Sequence, residues 1–192
     1  MLVTRALSLT FPVDRDDGPA HIISMPISQA VFETYFLAIT KTYVALRENG
    51  PEWFMRIGPT VAALTLKTVA VKDDVWEGEG GVEQGLMAEI RRLTQVALPG
   101  PDGWSTIPFQ EARDRKRLSP EDISEVENAL VFFTVTSASV RRREMEGMQK
   151  MVAGVLDGSL ISCSVTDFVA SLPISTTDES IGAKVPASSI PR

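Results

Sequence analysis

The sequence predicts a mainly α-helical fold: one domain of about five helices, a short N-terminal β-hairpin and a flexible C-terminal tail. Three observations carry this. Apolar residues recur three or four positions apart through most of the chain, the period of helices with one buried face. Ser119-Pro120-Glu121-Asp122 opens the longest apolar run with a capping serine, a proline suited to the first helical position and two first-turn acids. After Pro173 the chain becomes rich in Ser, Thr and Pro, a composition that buries little. With 192 residues, the natural division is a single domain over 1–172 and a tail over 173–192.

The hairpin is read over about 3–25. Leu7, Leu9 and Phe11 alternate with polar or small neighbours, as on a half-buried strand. Asp16-Asp17-Gly18-Pro19 is a turn, and His21-Ile22-Ile23-Ser24-Met25 returns. A first helix starts at Ser28, which can cap it, and buries Val31, Phe32, Tyr35, Phe36, Ile39 and Tyr43. Asn49-Gly50-Pro51 stops it. A short segment with Trp53 and Phe54 leads to a second helix over about 59–71. That helix is apolar on most sides and therefore central, although its β-branched content also fits a strand.

Asp73 to Gly81 is an acidic, turn-rich linker. A third helix is expected over about 82–98, with Leu86, Ile90, Leu93 and Ala97 on its buried stripe, ended by Pro99-Gly100-Pro101. Trp104 to Phe109 fits an extended segment, and 110–118 fits a loop or a helical turn. The helix opened by Ser119 runs to about Val140 and should be buried on most sides. The next, about 143–156, presents Met145, Met148, Met151, Val152 and Val155. A short turn of helix over about 166–171, capped by Ser164 or Thr166, is expected after it.

Composition narrows the function. There are 25 acidic and 19 basic residues, a net charge of −6. Nucleic-acid binders present a basic face, and here the basic runs at 113–117 and 141–143 are short enough to be solvated helix flanks. No nucleic-acid partner is expected. No apolar run approaches the ~18 residues of a membrane span, and the first residues do not read as a signal peptide. A cytoplasmic location is therefore expected, and the single Cys163 fits a reducing compartment.

Catalytic patterns do not assemble. His21 is the only histidine, far in sequence from Cys163, and a zinc site needs about four ligands. Gly78-Glu79-Gly80-Gly81 lacks the lysine of a phosphate loop, and its glutamates would repel phosphate. The pairs Asp16/Asp17 and Asp73/Asp74 fall on turns. Neither an enzyme nor a cofactor is expected. Two faces suit protein binding: the stripe Phe32, Tyr35, Phe36 and Tyr43, and the face Met145, Met148, Met151, Val152 and Val155. Methionine is flexible and polarizable, which suits a surface for varied helices. The latter face is the candidate partner-binding site, and core filling is the alternative role for both.

Several segments in order resemble one family. They are Glu127-Asn128-Ala129-Leu130-Val131-Phe132-Phe133, the break Arg141-Arg142-Arg143, the methionine helix to Leu156, and Thr166-Asp167-Phe168-Val169-Ala170-Ser171-Leu172-Pro173 with its continuation to Thr176. Together with Asp178-Glu179-Ser180-Ile181-Gly182, they look like the C-terminal half of the tail assembly chaperones of long-tailed (siphovirus-type) bacteriophages. Pro26-Ile27-Ser28 opening a helix with Tyr35-Phe36 is similar to the N-terminal half. The resemblance is clearest over 119–182 and looser over 1–98. It implies a helical chaperone in the host cytoplasm that coats the tape measure protein, keeps it soluble and helps recruit tail tube protein. It also implies a longer form made by frameshifting, and it supplies no residue role to carry over. A homo-oligomer is possible. The alternative reading is a structural virion protein, a minor tail or tail-completion subunit.

Overall fold

The computed structural model describes residues 7–15, 18–100, 103–140 and 142–173. The chain opens with β1 (Ser8–Val13) and β2 (Ala20–Ser24), an antiparallel pair that sets Phe11 opposite Ile22. The expected hairpin is thus present, and Asp16 and Asp17 of its turn lie outside the described residues. Next come α1 (Gln29–Thr34), α2 (Phe36–Arg47), α3 (Pro51–Arg56) and α4 (Gly58–Lys72), then a π-helical turn (Glu83–Met87) that runs into α5 (Ala88–Arg92). The chain continues through β3 (Thr94–Gly100), β4 (Gly103–Pro108), α6 (Phe109–Asp114), α7 (Pro120–Ala138), α8 (Arg142–Val155), β5 (Ser159–Ile161) and α9 (Val165–Ser171). Of the expected tail, Pro173 is described and 174–192 lie outside the described residues, as does Arg141 of the arginine break.

The fold class is mixed α/β, which corrects the mainly α expectation. The strands form one antiparallel sheet in the order β4-β3-β2-β1-β5, and among the described residues there are nine α-helices. The largest single correction is the third helix. It ends at Arg92, and its expected last turn is β3. Leu86 and Ile90 are buried as a helical stripe requires. Beyond them, however, Thr94, Val96 and Leu98 also satisfy a period of two, and all three are buried. The free edge of β2 supplies ladder bonds to this run, with Ile22 opposite Val96 and Ser24 opposite Thr94. Thr94 seals the transition: its hydroxyl donates to the Ile90 carbonyl at 2.8 Å and lies 3.0 Å from the Ser24 hydroxyl.

The first helix is also divided. Ser28 caps α1 by accepting from the Val31 amide, but Tyr35, at φ −107° and ψ 18°, breaks the helix before α2. Its hydroxyl donates to the Gly80 carbonyl across the fold (3.1 Å) and lies against Gly85, where a Cβ would fall 1.5 Å from that oxygen. Only a residue without a side chain lets the ring reach this position. The 59–71 segment is helical, as α4, and the short strand β5 was not anticipated.

The strongest local signal proves correct in detail. Ser119 accepts from the Asp122 amide (3.1 Å) while the Asp122 carboxylate accepts from the Ser119 amide (2.8 Å), a capping box that satisfies two helix-end donors. From there α7 runs through the centre, packed against α2, α4 and α8, and Asn128 to Ser137 are buried without interruption. Two of its buried polar side chains are matched, while the buried Ser137 hydroxyl finds no protein partner. Asn128 accepts from the Ala63 amide of α4 (2.9 Å) and donates to the Ser124 carbonyl (2.8 Å), and the Thr136 hydroxyl donates back to the Phe132 carbonyl (2.6 Å).

One ionic clamp holds the π-turn and α5 to α7. Arg91 reaches Glu83 at 2.9 Å and Glu127 at 2.8 Å, with its side chain only 13% exposed. Removing one partner of such a pair strands the others in a poorly solvated place. Arg91→Ala is expected to cost about 1–3 kcal/mol, reduced from the fully buried case because both carboxylates keep some water. Arg91→Lys should recover only part of it, because a single ammonium lacks the forked geometry that spans two acids. Urea denaturation of the two variants beside the parent measures both effects.

Pleating gives the sheet two faces. Leu9, Phe11, Val13, Ile22, Val96 and Leu98 face the helices and join the main core. The opposite face carries His21, Ala97 and Trp104: His21 pairs with Ala97, and Trp104 pairs with Pro99, two residues further along β3. Helix α9, capped by Ser164, one of the two expected candidates, lies on that side. Phe168 meets the edge of the His21 ring at 6.1 Å, Trp104 meets it at 5.1 Å, and the Trp104 indole N–H donates to the Pro173 carbonyl (2.9 Å).

Candidate functional site

The five residues expected to form the contact face do not form one open surface. Helix α8 lays them against α7, β1 and β5. Val152 is fully buried and belongs to the core, and Met148 packs on that core from its edge. Met145 is half-buried beside a small cavity of about 80 Å³ shared with Phe32, Phe133 and Gln149. Val155 is half-buried at the rim of a broad groove of about 1090 Å³, near Phe11, Met55 and Leu156. Only Met151 is exposed, at 39%. The aromatic stripe divides in the same way: Phe32, Tyr35 and Tyr43 pack on the core, and Phe36 is 47% exposed.

The open apolar surface lies elsewhere, on α2 and α4. Leu37 and Leu64 are each 65% exposed, Val44 57% and Val71 55%. Each pair is seven residues apart, so each lines one helix face. Lysine stands between the members of both pairs, Lys41 on α2 and Lys67 on α4. The inner faces are fixed by burial: Ala38, Ile39, Thr42 and Leu46 of α2, and Ala62, Leu66 and Ala70 of α4. Both helices pack on α7 and on each other, so the exposed stripes share the outer side of one layer. Lys41 bridges that side by pairing with Asp73, the residue that caps α4, at 2.5 Å. Lys67 lies over the Trp76 ring at 5.6 Å. The expectation that α4 is central holds for its Ala62, Leu66 and Ala70 face and not for the side that carries Leu64 and Val71. The signal against that reading is the lysine placed midway along each stripe, which cannot be buried unpaired.

The groups with potential chemistry stay apart. Among the described residues, no three His, Cys, Asp or Glu side chains are grouped to hold a metal ion, and no helix is long and apolar enough to cross a membrane. Cys163 is exposed in the turn before α9. His21 is flanked by aromatic rings, and burial lowers its pKa below the usual value of 6.5.

That shift has a consequence for stability. The unfolded chain takes up the imidazole proton more readily than the folded one, so folding is favoured above the ordinary histidine value. The advantage is lost as pH falls through that value toward the depressed folded one. Lowering the pH from about 7.5 to about 5.5 should therefore reduce stability in the parent. As His21 is the sole histidine, His21→Gln should remove most of this slope, as read from urea midpoints at both pH values. Equal slopes in the two proteins would refute the assignment.

No protein-family model, curated protein or solved structure matches this chain.

Proposed function

We propose that the protein is a tail assembly chaperone of a long-tailed bacteriophage. It binds the tape measure protein before assembly, covers its apolar stripes and helps bring tail tube subunits to it, in the host cytoplasm and without catalysis. The observation that carries this reading is the outer α2/α4 layer, where Leu37, Val44, Leu64 and Val71 are each more than half exposed. Apolar surface grouped in this way and rimmed by polar residues is typical of partner-binding sites. The resemblance over 119–182 names the family of partner, and the net charge of −6 favours a soluble complex.

The test is co-expression with the cognate tape measure protein. Soluble tape measure protein that co-purifies with this chain is the expected result. Tape measure protein that remains insoluble, with this chain folded, would overturn the proposal. Mass spectrometry of purified virions separates the second reading: a stoichiometric amount in the particle assigns a structural tail subunit instead.

A further inference from the structure

We infer that the outer side of the α2/α4 pair seats a single amphipathic helix whose apolar stripe is flanked by acidic side chains. The inference rests on the reading of the protein as a holder of helical chains, and adds where the client sits and what charge it carries. Two adjacent helices with exposed apolar residues at i and i+7 leave a furrow that a third helix can fill, the mode by which amphipathic helices dock in grooves. Leu37 to Val44 spans about 10 Å at 1.5 Å per residue, as does Leu64 to Val71, so the seat accepts roughly two turns of the incoming helix.

Charge selects the occupant. In a chain of net charge −6, α2 and α4 contain Lys41, Arg47, Lys67 and Lys72 and no Asp or Glu. Of the nearby acids, Glu48 and Asp73 stand just after α2 and α4, and Glu83 and Glu127, in the depression beside Leu64 and Lys67, are both held by Arg91. Lys41 and Lys67 sit within the stripes themselves, the latter held over Trp76. A helix lying there brings its flanking positions to these ammonium groups, so glutamate or aspartate is favoured and lysine is repelled. A second copy of this face would set lysine against lysine. An anionic membrane is a weaker fit, because each surface lysine contributes only about 1 kcal/mol there; Lys41 is shared with Asp73, so Lys67 carries most of the charge selection.

The test uses two synthetic peptides of about 18 residues with the same leucine stripe, one flanked by glutamate and one by lysine, each titrated into the full chain by fluorescence anisotropy. The expected result is at least about tenfold tighter binding of the glutamate peptide. Leu64→Glu with Val71→Glu should abolish that binding while the urea midpoint stays close to the parent's, because the replaced side chains are exposed. Lys67→Glu should narrow or reverse the preference between the peptides. The inference is overturned if the peptides bind equally, if neither binds, or if the double variant binds as the parent does. It is also overturned if anionic phosphatidylserine vesicles bind this face and the glutamate peptide does not, or if sedimentation shows a parent dimer that the double variant loses. The two proposals fail separately. Capture of tape measure protein by the Leu64→Glu, Val71→Glu chain would move the seat elsewhere and leave the chaperone reading standing. Binding of the glutamate peptide without capture of tape measure protein would do the reverse.

Discussion

Phe132→Ala is expected to destabilise the protein by about 3–5 kcal/mol, the range for removing a large aromatic side chain from a packed core. Phe132 is fully buried on α7. Its ring lies 5.0 Å from that of Phe54, centroid to centroid, and rests on the backbone where α4 begins, so close that a Cβ on Gly58 would meet it at 2.7 Å. The hole left by truncation therefore opens among α3, α4 and α7 together, and none of them can close it without dragging the others. For a chain of this size the loss corresponds to a fall in melting temperature of roughly 6–20 °C. Leu64→Ser, at a site 65% exposed, should change stability by no more than about 0.5 kcal/mol. A comparable loss at both positions in calorimetry would contradict the division between core and open surface.

Gly158→Ala is the second large effect, of about 3 kcal/mol, and it arises from overpacking rather than a cavity. A Cβ on Gly158 would lie 2.2 Å from the Thr10 carbonyl oxygen and 2.9 Å from the Phe11 Cβ. Those atoms cannot retreat, because β1 is paired on both sides, to β2 and to β5. The approach to β5 must shift instead, at the expense of the bond from the Gly158 amide to the Ala153 carbonyl and of the Thr10 hydroxyl's contacts with Ser159. Gly154, four residues earlier on α8, is the control. A Cβ there meets nothing within 4 Å, so Gly154→Ala should stabilise by about 0.5–1 kcal/mol through helix propensity. Opposite signs for the two substitutions, read from urea midpoints, are the expected outcome. A neutral Gly158→Ala would mean that β5 does not press on β1 as described.

Most helices were legible because their ends carry chemistry. Ser28 and Ser119 cap where the sequence places caps, Ser164 is the one of two candidates that caps α9, and Asn49-Gly50-Pro51 separates α2 from α3. The strands were less legible, for reasons particular to each. Thr94 to Leu98 satisfies two periods at once, and the choice between them is made by the edge of β2, some seventy residues away in sequence. Ser159–Ile161 is three residues long, too short for any period to register. Without β3 and β5 the hairpin had no neighbours, and the sheet could not be assembled from the sequence. The candidate site was misplaced by a related ambiguity. Hydrophobic spacing identifies the apolar face of α8 but does not say whether that face looks inward, and Val152 is fully buried. On α2 and α4 the number of apolar residues exceeds what one buried face can take, and the surplus is the open stripe.

The pairing of β1 with β5 also sets a timetable. Thr10 bonds to Ser159, 149 positions further along the chain. At roughly 5–20 residues per second of synthesis, β1 waits about seven to thirty seconds before its outer neighbour has been made. During that interval one edge of the first hairpin has backbone donors and acceptors without their final partners, a state prone to wrong pairing. Pro12 lies in β1 just beyond the residues that β5 covers and lacks a donor by nature, which limits the length of edge that a stray strand could join. A nascent chain stalled before residue 159 should thus bind holding factors that the released protein does not.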